Sequence, residues 1–142
     1  MYYRRDFTPG GTYFFTVVTA KRRPLLAEPT AVEILRGAFR IVMAHYPFRI
    51  DSVVVLPDHL HTIWTLPEGD ANYPLRWNRI KGRFTEALPA HIRPVWQNRY
   101  WEHRIRSDAD FGHHISYIHW NPVKHGLVQA PGEWPYSSYR FR

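Results

Sequence analysis

Cysteine is absent from the 142-residue chain. Its absence excludes disulfide staples and thiolate zinc sites, and it fits a reducing compartment. No stretch approaches the roughly 18 apolar residues of a membrane span, and no secretory signal pattern opens the chain. A soluble cytoplasmic protein is the expectation. Internal repeats, low-complexity tracts and long linkers are also missing, so residues 1–142 read as one domain. That length supports a hydrophobic core without staples. Negative charge is in short supply: 12 acidic residues stand against 19 basic ones, for a net charge of +7.

Sixteen of the 19 basic residues are arginine, and aromatics make up 16% of the chain, with six Trp and nine Tyr. Guanidinium groups meet phosphate in planar, bidentate fashion and stack on bases. Arginine with aromatics is the composition of a nucleic-acid grip, above all for unpaired bases. The same composition also describes aromatics that build a core beneath a solvated arginine surface.

Along the chain, Gly10-Gly11 precedes an aromatic and β-branched run over 12–19, a central strand with two apolar faces. Thr30 with Glu33 reads as a capping box opening a helix that ends near Tyr46-Pro47. Val32, Leu35, Phe39 and Val42 form its buried face. Two apolar strands, 48–56 and 59–66, flank the turn Pro57-Asp58 and pair as an antiparallel hairpin. Residues 75–88 read as a second helix, with Trp77, Ile80, Phe84 and Leu88 inward and Arg76, Arg79 and Arg83 elsewhere on it. Residues 95–105 read as a fourth strand. Ser107 with Asp110 caps a third helix, which Pro122 ends or kinks. The order β-α-β-β-α-β-α is an α+β, ferredoxin-like (split βαβ) pattern with an added C-terminal helix. A mostly antiparallel sheet with helices over one face is the natural architecture.

The sharpest local feature is His59-Leu60-His61. Strand side chains alternate, so the two imidazoles share a face and can share a metal ion. On its own the pair reads first as two ordinary surface histidines in a chain that has nine. Tyr117 and Asn121 lie four residues apart on one face of the third helix. Asn121 offers an amide oxygen to a hard cation, and Tyr117 offers a hydroxyl that can act as a covalent nucleophile. Their structural alternatives are a packing aromatic and a helix stop before proline. His113, His114 and His119 sit on the same helix and rank below Asn121 as ligands.

Several segments together are far more specific. They are Tyr3-Arg4-Arg5 with Gly10-Gly11-Thr12-Tyr13-Phe14-Phe15-Thr16, then Leu56-Pro57-Asp58-His59-Leu60-His61, and Trp101-Glu102-His103-Arg104. After these come Tyr117-Ile118-His119-Trp120-Asn121-Pro122-Val123-Lys124-His125-Gly126-Leu127-Val128 and Trp134-Pro135-Tyr136-Ser137-Ser138-Tyr139. On these residues the chain resembles the single-tyrosine HUH transposases, and most closely their REP-associated branch. The resemblance implies that His59, His61 and Asn121 hold Mg²⁺ or Mn²⁺ and that Tyr117 is the nucleophile. It implies cleavage of single-stranded DNA through a 5′-phosphotyrosine linkage that frees a 3′-hydroxyl.

The resemblance also implies a partner: a REP-like DNA hairpin beside a short tetranucleotide, bound near the nucleoid by a protein that is a monomer rather than a dimer. Residues 1–10 form a DNA-contacting arm in which Arg4 and Arg5 are candidates to read guanine edges. Arg76, Arg79, Lys81 and Arg83 are candidates to grip stem phosphates, with a solvated face as the alternative. A non-catalytic or domesticated hairpin-binding regulator is the competing reading. An RNA-binding RRM domain would share the architecture, but its aromatic RNP segment is not found.

Overall fold

A computed structural model describes residues 5–141, so Arg4 lies outside the described residues. The apolar runs form four strands: β1 (Thr12–Val18), β2 (Arg49–Leu56), β3 (His59–Thr65) and β4 (Trp101–Arg104). They make one antiparallel sheet in the order β2-β3-β1-β4. Two interleaved βαβ units produce that order, which is the expected α+β, ferredoxin-like arrangement. The helices are α1 (Pro29–His45), α2 (Tyr73–Glu86) and α3 (Asp108–Lys124).

The helices do not share a face. α1 and α2 pack on one side of the sheet, where Phe15, Leu60 and Trp64 meet Val32, Leu35, Trp77 and Ile80 in the larger core. The Trp64 and Trp77 rings stack there at 4.3 Å. α3 covers the opposite side, where Ile118 joins Phe14, Val54, Leu56 and Ile63. The expectation of helices over one face is therefore corrected: both faces of the strands carry apolar residues, and α3 is what buries the second. The hydrophobic stabilisation of that second cluster fixes α3 above the histidines of β3.

Local signals explain most boundaries. Ser107 accepts a hydrogen bond from the Asp110 backbone N–H at 3.0 Å and caps α3 as expected. At α1 the capping box is not formed. Pro29 takes the first turn, Glu28 becomes the cap residue, and no side chain caps the helix. Glu33 instead pairs with Arg36 at 2.9 Å. α2 starts earlier than expected because Asn72 accepts from the Leu75 N–H and Pro74 fits the first turn. β4 is far shorter than 95–105. The chain at 95–97 runs beside the end of β1 through the Ala20-to-Val95 and Gln97-to-Val18 backbone bonds, leaves the sheet, and rejoins at Trp101. Pro122 does not end α3. The helix continues to Lys124, and the His125 N–H bonds the Asn121 carbonyl at 3.0 Å.

Edge β2 is shielded by the C-terminal segment. Val55 N–H donates to the Tyr136 carbonyl, Trp134 Nε1 to the Val55 carbonyl, and Val53 N–H to Ser138 Oγ. Such cover removes an open strand edge.

Candidate active site

β3 delivers the histidines. The turn at Pro57-Asp58 sets Leu56 opposite His59, and the register sets His61 opposite Thr16 of β1 and Val54 of β2. Alternation sends Leu60 into the larger core and turns both imidazoles toward α3. Their rings lie 4.8 Å apart, and both residues are buried.

Each imidazole is held at Nδ1. Asp58 Oδ1 accepts from His59 Nδ1 at 2.6 Å, and Arg22 holds Asp58 at 3.2 Å. Since a carboxylate only accepts, His59 carries its proton on Nδ1 and its lone pair on Nε2. Burial raises the Asp58 carboxyl, but its bonds from His59 and Arg22 prevail and keep it below the ordinary value. His61 Nδ1 bonds the Thr16 hydroxyl at 2.8 Å. Burial pushes His61 down to about 3, helped by the positive surroundings of His59, His125, Lys124 and Arg22. Burial also lowers His59, against the pull of Asp58. Both rings are thus neutral near pH 7, the state a metal ligand requires.

α3 brings Tyr117 over this pair. The Tyr117 ring is 5.2 Å from the His61 ring and 5.9 Å from Phe14. Lys124 Nζ lies 5.1 Å from the centre of the Tyr117 ring. Asn121, next along the same helix stripe, is 0% exposed.

Two of these residues, His61 and Asn121, carry a chemical deficit. His61 Nε2 and both amide atoms of Asn121 are buried, yet none has a hydrogen-bond partner among the described residues. Buried polar atoms are nearly always paired, so orphaned atoms of ligand type on these two residues point to a partner other than the protein. An imidazole nitrogen and an amide oxygen are donors that a divalent cation accepts. The residues present fit a metal held by His59, His61 and Asn121.

A second cluster was not foreseen. Nitrogens of His103 and His114 and the carboxylate of Asp110 lie within 4.8 Å of one another, a grouping that could also hold a cation. Here the atoms are already paired. His103 Nε2 donates to Asp110 Oδ2 at 2.9 Å, His114 Nδ1 lies 3.1 Å from Oδ1, and Oδ2 also accepts the Arg106 N–H. The deficit at His61 and Asn121 therefore makes theirs the stronger metal candidate.

The remaining candidates separate. His119 is buried against Tyr139 at 5.0 Å, and His113 is exposed. Arg76 is not available to DNA. It is 2% exposed, and its guanidinium bonds Asp70 and the carbonyls of Tyr46, Pro47 and Asn72. Helical spacing placed it off the inward stripe, but the loop ahead of α2 folds over it. Arg79 and Arg83 are exposed, while Lys81 is half-buried with Nζ 5.6 Å from the Tyr100 ring. All three ride on α2, across the sheet from Tyr117. Arg5 lies 4.2 Å over the Tyr100 ring and donates to the Tyr100 carbonyl at 3.1 Å.

Sequence reasoning missed Thr16, Lys124 and His125 as site residues. Lys124 carried a signal, since it lies seven residues after Tyr117 on the same helical stripe. Thr16 becomes visible only with the strand register. His125 follows the helix, where periodicity stops, and its ring reaches 5.3 Å from His59.

The histidine pair of β3 thus lies beneath the helix-borne Tyr117 on a ferredoxin-like sheet. Comparison with family-level sequence profiles finds no match. A curated relative, the REP-associated tyrosine transposase of Escherichia coli strain K12, is 47% identical over 137 residues, 96% of this chain and 81% of that protein. A Haemophilus influenzae protein provisionally given the same name is 43% identical over 149 residues, 96% of this chain and 84% of its own. A solved REP-associated tyrosine transposase bound to a REP hairpin superposes with a TM-score of 0.92 at 46% identity, covering 99% of this chain and 84% of that one. A Deinococcus radiodurans protein provisionally named a transposase shares the fold alone, with a TM-score of 0.57 at 19% identity. Fold and relatives together define a transposase, a DNA-processing enzyme. Within that class, the chain belongs to the REP-associated tyrosine transposases.

Proposed function

We propose that this transposase cuts and rejoins single-stranded DNA at REP-like hairpins through a covalent bond to Tyr117. The observation that carries the reading is the Tyr117 ring 5.2 Å from His61, whose Nε2 shares its lack of a partner with the buried Asn121 amide. Mg²⁺ or Mn²⁺ bound at His59, His61 and Asn121 would supply positive charge at the scissile phosphate and its leaving oxygen.

The chain's own residues do the rest. Asp58 and Thr16 hold the two imidazoles in fixed orientation by their Nδ1 atoms. The Phe14 and His61 rings wall Tyr117. Lys124 sets a cation beside that ring, where the phosphate's charge arrives. The Tyr117 oxygen bonds phosphorus and loses its proton to solvent. The bond from phosphorus to the 3′ oxygen breaks, and that oxygen takes a proton from solvent and leaves as a 3′-hydroxyl. The phosphotyrosine ester conserves the bond energy, so a 3′-hydroxyl can reverse the step without a nucleotide cofactor.

The hairpin is taken as the target because a solved relative is bound to a REP hairpin, and the flanking tetranucleotide follows from the family resemblance alone. We take residues 1–142 to act as one domain and as a monomer. The test is incubation with labelled hairpin DNA carrying a single-stranded flank, with Mg²⁺ or Mn²⁺, resolved on a denaturing gel. A DNA–protein band that needs metal and disappears in Tyr117→Phe is expected. Cleavage that survives in Tyr117→Phe would put water in the tyrosine's place. Tight binding without cleavage would favour a regulator.

A further inference from the structure

Trp101 is 53% exposed at the outer strand of the sheet. Large aromatics left in solvent beside a candidate site are informative. The register places it with some accuracy. Trp101 on β4 pairs with Thr16 on β1, and Thr16 pairs with His61 on β3. The three residues form one cross-strand row on the α3 side of the sheet. Adjacent strands are about 4.8 Å apart, so Trp101 sits about 10 Å from His61, within the span of an extended nucleotide.

The space between is open. Phe14, Thr16, Trp101, His113, His114 and Tyr117 line one groove. On its other side Trp101 borders a second groove with Arg5, Arg99 and Tyr100. The indole is therefore the divide between a groove that ends at Tyr117 and a groove rimmed by two guanidinium groups. Arg99 is exposed, and Arg5 lies over the Tyr100 ring.

Resting on the reading above, we infer that Trp101 is a stacking platform for an unpaired base next to the scissile phosphate, and that the single strand then turns over the β4 edge toward Arg99 and Arg5. Every base has a π-face, so an indole grips the flank whatever its sequence. Arginine beyond it meets the next phosphate. The basic arm and the tyrosine site thereby become two ends of one DNA track.

The test measures binding without metal, so that nothing is cut. Two probes are used: a REP-like DNA hairpin with its single-stranded flank, and the same hairpin with the flank removed. Trp101→Ala is expected to weaken the flanked probe about tenfold or more and to leave the bare hairpin unchanged. Trp101→Phe is expected to recover most of the loss. An abasic site at one flank position should weaken the wild-type complex by a similar factor and have no effect on Trp101→Ala, because the two changes remove the same contact. Additive losses, or equal losses on both probes, would overturn the stacking assignment while leaving the proposed function intact. A wild-type protein that binds neither probe would overturn the proposed function and this inference with it. Thermal melts of Trp101→Ala guard against a folding defect.

Discussion

Asn121 is fully buried, and its amide has no hydrogen-bond partner among the described residues. Such a group costs about 1–3 kcal/mol in a metal-free protein. Asn121→Ala should therefore cost the metal-free protein little stability while weakening Mn²⁺ binding at least about tenfold, read by calorimetric titration. Loss of stability with unchanged Mn²⁺ affinity would make Asn121 a structural residue. His61 gives a second residue-level outcome. Burial holds its ring at about 3, below the ordinary 6.5. Between those values the unfolded chain binds the extra proton, so stability is complete above pH about 6.5 and declines as pH falls toward 3. The slope for one such group is on the order of 1 kcal/mol per pH unit. Urea melts of the metal-free protein from neutral pH downward should show a steeper loss for wild type than for His61→Gln. Parallel slopes would contradict the assigned burial effect.

At the scale of elements, α2 shows how a side chain's role follows from a loop. Arg76 is clamped by Asp70 at 2.9 Å and by three backbone carbonyls. Arg76→Met should destabilise the protein by roughly 3 kcal/mol, since it strands those acceptors. Arg79→Ala on the exposed side should change stability by less than about 0.5 kcal/mol. Chemical denaturation of both variants checks the contrast. The sequence pattern told these two arginines apart poorly, because helical spacing says which side faces the sheet and nothing about a loop folding over the flank. Other features were legible. H-x-H on a strand forces two imidazoles to one face, and Ser107 with Asp110 announced the start of α3. Tyr117 and Asn121 four apart on one helix announced a shared stripe. The capping box at Thr30 failed because Pro29 claims the first turn. β4 was overread because Val95 and Trp96 are as apolar as strand residues but serve the core under α2. That α3 covers the second sheet face was written in the strands themselves, whose alternate residues Phe14, Val54 and Ile63 are also apolar.

At the scale of the molecule, a net charge of +7 and sixteen arginines make binding to DNA salt-dependent. Arg79 and Arg83 lie across the sheet from Tyr117, so the phosphate contacts proposed for them would act at a distance from the chemistry. Replacing both with glutamine should reduce the slope of log affinity against log salt by about 1–2 for a hairpin probe and leave sequence discrimination unchanged. An unchanged slope would return the α2 arginines to the solvated surface.

The central claim is that Tyr117 becomes covalently joined to DNA. Digestion at lysine and arginine isolates residues 107–124 as one peptide whose single tyrosine is Tyr117. Trapped with hairpin DNA and Mn²⁺, trimmed with nuclease and read by mass spectrometry, that peptide is predicted to carry a 5′-phosphonucleotide on Tyr117. A nucleotide found on any other residue, or cleaved DNA with no peptide attached, would contradict the account.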